Sequence, residues 1–258
     1  MMQQEFATRA VRIVEKDDNV TGLAVAGSWI TDELDEYSDL DLVLVTEEKI
    51  AGSKTKMLAF ARKLGELISG FTGEHVGEPR LLICLYDNPL LHVDIKFLTL
   101  QEFKERVENP VVLFERNGSL SNIISTTKPE WPRVDFQWIE DRFWTWIHYL
   151  ATKVARGELF ECIDGLCFLR ARVLTPLMQV KAKKLPRGVR KAEMQLNLPD
   201  LENLKITLPQ YDKESVVKAI DNTISIYRSL RRKLYPDNIE LQTLAEKRSI
   251  EFFKKIKS

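Results

Sequence analysis

The sequence predicts an α/β fold in two parts, a mixed sheet with helices followed by a helical bundle. Three observations carry that expectation. Up to about residue 125, short apolar runs of strand length alternate with stretches of helical spacing. The segment TTKPEWP at 126–132 has two prolines and no periodicity, which marks a boundary. Beyond it, apolar residues recur every three or four positions. The expected domains are therefore 1–125 and 126–258.

Composition narrows the class. With 44% hydrophobic and 29% charged residues, a chain of 258 residues can bury one large core or two small ones without needing an oligomer, and it is unlike a disordered chain. Lys+Arg and Asp+Glu are both 38, and a net charge of zero argues against a dedicated nucleic-acid binder. No stretch approaches the roughly 20 apolar residues of a membrane span. The charged start MMQQEFATRAVRIVEK lacks the apolar run of a signal peptide. Cys84, Cys162 and Cys167 are odd in number, sit in apolar surroundings and have no zinc-site spacing, so buried free thiols in a reducing cytoplasm are expected.

Element by element, Phe6, Ala10, Val11 and Ile13 predict an opening amphipathic helix over 4–16. GLAVAGS (22–28) reads as a buried strand ending in a turn. DLDLVLVT (39–46) alternates, with Leu40, Leu42 and Leu44 on one face and Asp39, Asp41 and Val43 on the other. The stripe Met57, Leu58, Ala61, Leu64, Leu67 and Ile68 predicts a helix over 54–69. LLICLY (81–86) and LLHVDIKFL (90–98) read as strands joined by Asp87-Asn88-Pro89. A strand at 111–115 meets Asn117-Gly118, a hairpin signal. In the second part, helices are expected around Phe136–Val154, Leu159–Met178 and Val217–Leu234.

The chemistry concentrates in the first part. Residues i and i+2 of a strand share a face, so Asp39 and Asp41 start about 6.6–7 Å apart along the backbone and can converge on a cation. Two aligned acids repel unless something positive neutralises them. Mg²⁺, which takes hard oxygen ligands from one or two carboxylates plus substrate phosphates, fits that requirement. Asp94, between Val93 and Ile95, offers a third acid on a strand able to lie beside the first pair. Gly27-Ser28 supplies a turn where backbone can approach a phosphate, with Ser28 expected to cap a short helix through Ile30–Leu34. Metal neutralisation of a triphosphate and an aligned nucleophile are what nucleotidyl transfer asks for.

In order and spacing these residues resemble the DNA polymerase β-like nucleotidyltransferase superfamily. AVAGS is followed by ten residues, Trp29 to Ser38, then by Asp39-Leu40-Asp41, and later by HVDIKF with Asp94. The layout resembles the small-molecule branch, including the streptomycin and other aminoglycoside adenylyltransferases. The resemblance covers residues 21–98, and ARGELFECIDGLCFLR (155–170) is similar to helical segments of those enzymes. It implies a nucleotidyltransferase-type mixed sheet, with Gly27 and Ser28 on the triphosphate and Asp39 and Asp41 holding Mg²⁺. Asp94 is implied as either a third metal ligand or the general base. It further implies transfer of a nucleoside monophosphate, AMP from ATP, to a hydroxyl of a small molecule such as an aminoglycoside-type antibiotic, with pyrophosphate released. The alternatives are a non-catalytic nucleotide-binding or interaction module, or transfer to a protein or RNA.

The second part gives softer signals. Lys153 and Arg156 precede the Gly157-Glu158 break, where a cation could reach nucleotide phosphates or simply stabilise a helix carboxyl terminus. KAKKLPRGVRK (181–191) carries six basic residues in eleven and reads as a solvated loop. Trp138, Trp144 and Trp146 read as packing residues ahead of a stacking role. Glu140, Asp141 and Glu158 read as surface acids that could attract a cationic acceptor. His75, His92 and His148 show no partner constellation.

Overall fold

The computed structural model describes residues 1–257, which divide into two compact units, one ending at Trp131 and one starting at Pro132. In the first unit, α1 (Met2–Val14) places Phe6, Ala7, Ala10 and Val14 on a single buried face, the spacing a helix needs to lie on a sheet. The strands are β1 (Val20–Val25), β2 (Leu40–Thr46), β3 (Leu67–Gly73), β4 (Glu78–Tyr86), β5 (Leu91–Leu98) and β6 (Val111–Glu115). They form one mixed sheet in the order β3-β4-β5-β2-β1-β6. Every pairing is antiparallel except β2 with β5.

Both sheet faces are covered, by different amounts. On one, α1 and α2 (Lys54–Leu64) pack Phe6, Met57, Phe60 and Ala61 against Leu40, Leu42, Leu44, Val93, Ile95 and Phe97. On the other, α3 (Leu100–Phe103) and α4 (Ser119–Thr126) bring Phe103, Leu120 and Ile123 onto Ala24, Val45 and Leu98. Gly22 permits this second contact, because a Cβ there would lie 2.5 Å from Leu120. The second cluster is small and ends partway along the strands.

Four local expectations are corrected. The helix over 54–69 stops at Leu64: Gly65 follows in extended backbone, and Leu67 and Ile68 enter β3. Ile68 is exposed there, so part of the assumed helical stripe belongs to an edge strand. Asn117-Gly118 makes no hairpin. Both residues adopt positive φ, and the chain turns into α4 while β6 pairs with β1. The helix expected through Ile30–Leu34 is absent; a single 3-10 turn at Gly27–Trp29 gives way to a loop. Finally, Cys84 and Cys162 are buried, burial pushing their thiols up to about 12 and about 11, but Cys167 is exposed.

The second unit is helical: α5 (Phe136–Arg156), α6 (Leu159–Leu169), a π segment (Arg170–Leu174), α7 (Thr175–Lys181), α8 (Ala192–Gln195), α9 (Leu198–Lys205), α10 (Lys213–Leu234) and α11 (Thr243–Lys257). The Asp135 side chain caps α5 by accepting from Trp138 N at 2.9 Å, and Gly157 ends it at φ 75°. Phe143, Trp144, Ile147 and Tyr227 lie in its core, with the Phe143 and Tyr227 rings stacked at 3.6 Å. The basic run 181–191 is loop for most of its length. Among the described residues no helix is long and apolar enough to cross a membrane.

Glu140 is no surface acid. It is completely buried, and its carboxylate accepts from Tyr227 OH, Arg231 Nη1 (3.0 Å), Trp144 Nε1 (3.3 Å) and the Gln242 amide (3.1 Å). Burial, reinforced by Tyr235 and Glu140, holds the Tyr227 hydroxyl in its neutral, donating form. A buried charge satisfied this fully ties α5 to α10 and to the start of α11, and removing one partner strands the other. Glu140→Ala is therefore expected to cost about 3 kcal/mol in urea unfolding, whereas Glu140→Met combined with Arg231→Met should lose less. A cost under about 1 kcal/mol for the single change would show that the network is not what joins these helices.

Candidate active site

Strand register builds the acidic group. β2 and β5 run parallel with Asp41 directly opposite Asp94, and paired residues of adjacent strands point to the same face. Asp39 immediately precedes β2 and, two residues before Asp41, shares that face. One carboxylate oxygen from each of Asp39, Asp41 and Asp94 lies within 4.8 Å of the others. All three side chains are half-buried, at the end of the sheet that the α3 and α4 cluster leaves uncovered.

The loop before Asp39 is tied down rather than loose. Gln3, fully buried on α1, donates to the carbonyls of Asp35 (3.0 Å) and Ser38 (2.7 Å). The Ser38 hydroxyl accepts from the Asp35 amide and donates to its carboxylate. These bonds fix the two ends of a short turn and deliver Asp39 to the strand start.

The turn at Gly27 lies against the acids. The Ala26 amide donates to the Asp41 carbonyl at 2.9 Å, continuing the β1–β2 ladder to the edge of the turn. Gly27 then takes φ +64°, and a Cβ there would lie 2.0 Å from Asp41 Oδ2. Only glycine meets both the left-handed backbone and that contact. Ser28 is the half-buried second residue of the 3-10 turn, with its carbonyl accepting from the Glu33 amide at 3.0 Å.

Two neighbours escaped the sequence reading. His92 Nε2 is 2.9 Å from Asp94 Oδ1. Its position two residues before Asp94 on one strand was the available signal. Glu108 Oε1 accepts from the Gly27 amide at 3.1 Å across 81 residues, a contact with no local signal. Lys96, a conceivable partner for Asp94, has its ammonium 2.8 Å from Glu78 Oε2. Together with Arg80, it holds the Glu78 carboxyl down at about 2.

In the helical unit, Lys153 stands in the last turn of α5 with its ammonium 2.6 Å from Glu158 and 2.8 Å from Glu161. Hydrogen bonds to those carboxylates raise its pKa. Arg156 is more exposed and lies 3.7 Å from Glu158. Asp141 accepts from Gln137 and Gln242. Trp144 is core, while Trp138 and Trp146 pack on each other at 5.4 Å with Trp138 partly exposed.

Chemically, three carboxylate oxygens at this spacing suit a hard divalent cation, which prefers oxygen ligands. Without one, like charges on adjacent strands oppose each other. Sheet register and turn thus bring into one neighbourhood the residues that stand far apart in the sequence motif.

No family model and no curated protein matches the chain. Among solved structures it is similar to an aminoglycoside 6-adenyltransferase from Bacillus subtilis, at 16% identity over 98% of each chain, with a TM-score of 0.42. It is also similar to a nucleotidyltransferase-like protein from Exiguobacterium sibiricum, at 11% identity over 97% of this chain and 78% of that one, with a TM-score of 0.34. A third is a spectinomycin adenyltransferase from Enterococcus faecialis with ATP and spectinomycin, at 13% identity over 99% of each chain and a TM-score of 0.31.

Gly27→Ala tests the construction of the site. A left-handed alanine costs about 1–2 kcal/mol, and its methyl would push the Asp41 carboxylate away. Thermal melting should show that loss, and any rise in melting temperature that Mg²⁺ or Mn²⁺ gives the unaltered chain should shrink in the variant. An unchanged metal response would mean that Asp41 does not depend on the glycine for its position.

Proposed function

We propose that the chain is a nucleotidyltransferase that moves a nucleoside monophosphate, AMP from Mg-ATP, onto a hydroxyl of a small molecule. The observation that carries the reading is the convergence of the Asp39, Asp41 and Asp94 carboxylates beside the Gly27 turn. Four features of this kind, from two strands and a turn, are more than solvation of a strand edge requires. The adenine preference and the acceptor class rest on the motif resemblance, which makes aminoglycoside-type compounds the first acceptors to try. Antibiotic modification would be the corresponding role.

In this reading Asp39 and Asp41 hold Mg²⁺. When bound, the ion neutralises triphosphate oxygens and polarises the phosphorus under attack. Gly27 and Ser28 present the backbone turn to the triphosphate. The acceptor oxygen forms a bond to the α-phosphorus, the bond from that phosphorus to the oxygen bridging to the β-phosphate breaks, and pyrophosphate leaves with the bonding electrons. Asp94 either takes the hydroxyl proton, or completes the ligand set while the proton passes to solvent. His92, on Asp94 Oδ1, orients the carboxylate for whichever task it has. Lys153 keeps its ammonium on Glu158 and Glu161, and any nucleotide phosphate would have to compete with both carboxylates for it.

Asp39→Asn and Asp41→Asn separate function from filler. Each swap keeps the size and removes a charge, so pyrophosphate release and the mass-shifted acceptor product should fall at least about 10³-fold, or roughly 4 kcal/mol of transition-state stabilisation. Melting temperature in the absence of metal should stay level or rise, because a repulsion is relieved. Mg-ATP should stabilise the unaltered chain and the variants much less. Variants that lose stability but keep their response to Mg-ATP would make these aspartates structural and overturn the reading.

A further inference from the structure

The Gly27 amide, which the proposed function offers to a triphosphate, already has an internal acceptor. Its N–H donates to Glu108 Oε1 at 3.1 Å, and Glu108 comes from the segment between α3 and β6. Glu108 is half-buried and stands outside the group of three acids whose oxygens gather within 4.8 Å. Its carboxylate is therefore placed on the turn rather than in the cation site. Gly27 is flanked by two acids with different duties: Asp41, in contact at its α-carbon, and Glu108, at its nitrogen.

A backbone N–H has one hydrogen, and a phosphate oxygen and a carboxylate oxygen cannot both take it in a near-linear bond. Nor can the two anions share the turn at low cost, since like charges brought to one N–H repel. We infer that Glu108 is a displaceable occupant of the triphosphate position, a carboxylate that must leave the Gly27 N–H before a phosphate oxygen can bind there. This rests on the nucleotidyltransferase reading of the turn and adds to it a residue that sets affinity. Because the contact is to backbone beside the phosphates, Glu108 weakens binding of any nucleoside triphosphate whatever its base. It acts equally on departing pyrophosphate, since its return to the amide opposes retention of the anion.

The competing role for Glu108 is a brace that keeps the turn in shape, and the two roles predict opposite signs. The test is calorimetric titration of the full chain with α,β-methylene-ATP and Mg²⁺, using the unaltered protein, Glu108→Ala, Glu108→Gln and, as a control, Asp41→Asn. Amide hydrogen exchange at Gly27 is followed in parallel. Displacement predicts that Glu108→Ala binds the analogue roughly 3- to 10-fold more tightly, the scale of one net hydrogen bond. Glu108→Gln, which keeps an acceptor oxygen but loses the charge, should fall between. Pyrophosphate should inhibit Glu108→Ala at correspondingly lower concentration. Gly27 exchange should be slow in the unaltered protein, faster in Glu108→Ala, and slow again in both with the analogue bound. Equal or weaker binding by a Glu108→Ala protein with an unchanged melting temperature would make Glu108 a bystander or a brace and overturn the inference. If Glu108→Ala does not fold, binding by Glu108→Gln no tighter than that of the unaltered chain does the same. Binding that is abolished in Asp41→Asn yet not tightened by either Glu108 change sinks the inference alone. No binding by any of the four proteins, with Gly27 exchange indifferent to the analogue, removes the nucleotide reading and the inference together.

Discussion

Like charges brought together in a half-buried site push the chain apart, and the sheet of the first unit is what opposes that push. Asp41 and Asp94 lie opposite each other across the parallel β2–β5 ladder, so pairing of the strands also brings two like charges close. The counterweight lies farther along the same strands. Val43 and Val45 on β2 and Leu98 on β5 share the acids' face, and they pack with Phe103, Leu120 and Ile123. One strand face is thus acidic at one end and apolar at the other. Packing at the apolar end anchors strands whose other end carries unfavourable charge, at about 25 cal/mol for each Å² of apolar surface removed from water.

The helical unit solves a different problem with the same elements. There a single carboxylate, Glu140, is taken completely out of water and surrounded by donors from α5, α10 and the segment leading into α11. Arg231 neutralises it while also bonding Glu246. A charge so matched is inert chemically and specific structurally. The acids of the sheet are arranged differently: half-buried and side by side, they put like charges near one another.

Local chemistry was legible where it depended on short spacing. Gly27-Ser28, Asp39-x-Asp41 and an acid within an apolar strand are patterns of two or three residues, and strand alternation turns them into a shared face without further information. Context defeated other local signals. Leu67 and Ile68 continue a helical stripe numerically, but Gly65 intervenes and Gly70 lets Leu58 of α2 lie close to β3, so the tertiary fit favours a strand. Asn117-Gly118 carries the positive φ angles of a hairpin and uses them to enter α4. Glu140 looks like any charge beside Asp141, because nothing local reveals that Arg231 and Tyr227 will cover it. Glu108 on Gly27 is legible only from the fold.

The β2–β5 ladder also bears on how the protein comes to exist. It is the one parallel pairing among the described strands, and it joins two antiparallel sets that can each close on their own: β1 with β2, and β3 with β4 and β5. Antiparallel neighbours linked by short connections meet early, whereas a pairing between the forties and the nineties of the chain must wait for a larger loop to close. Asp39 and Asp41 travel with the first set and Asp94 with the second. If the two sets form first, the acids meet only when those sets dock, and their repulsion is met in that same step. A divalent ion present at that moment would act as a folding ligand, favouring the docked sheet over its separate halves.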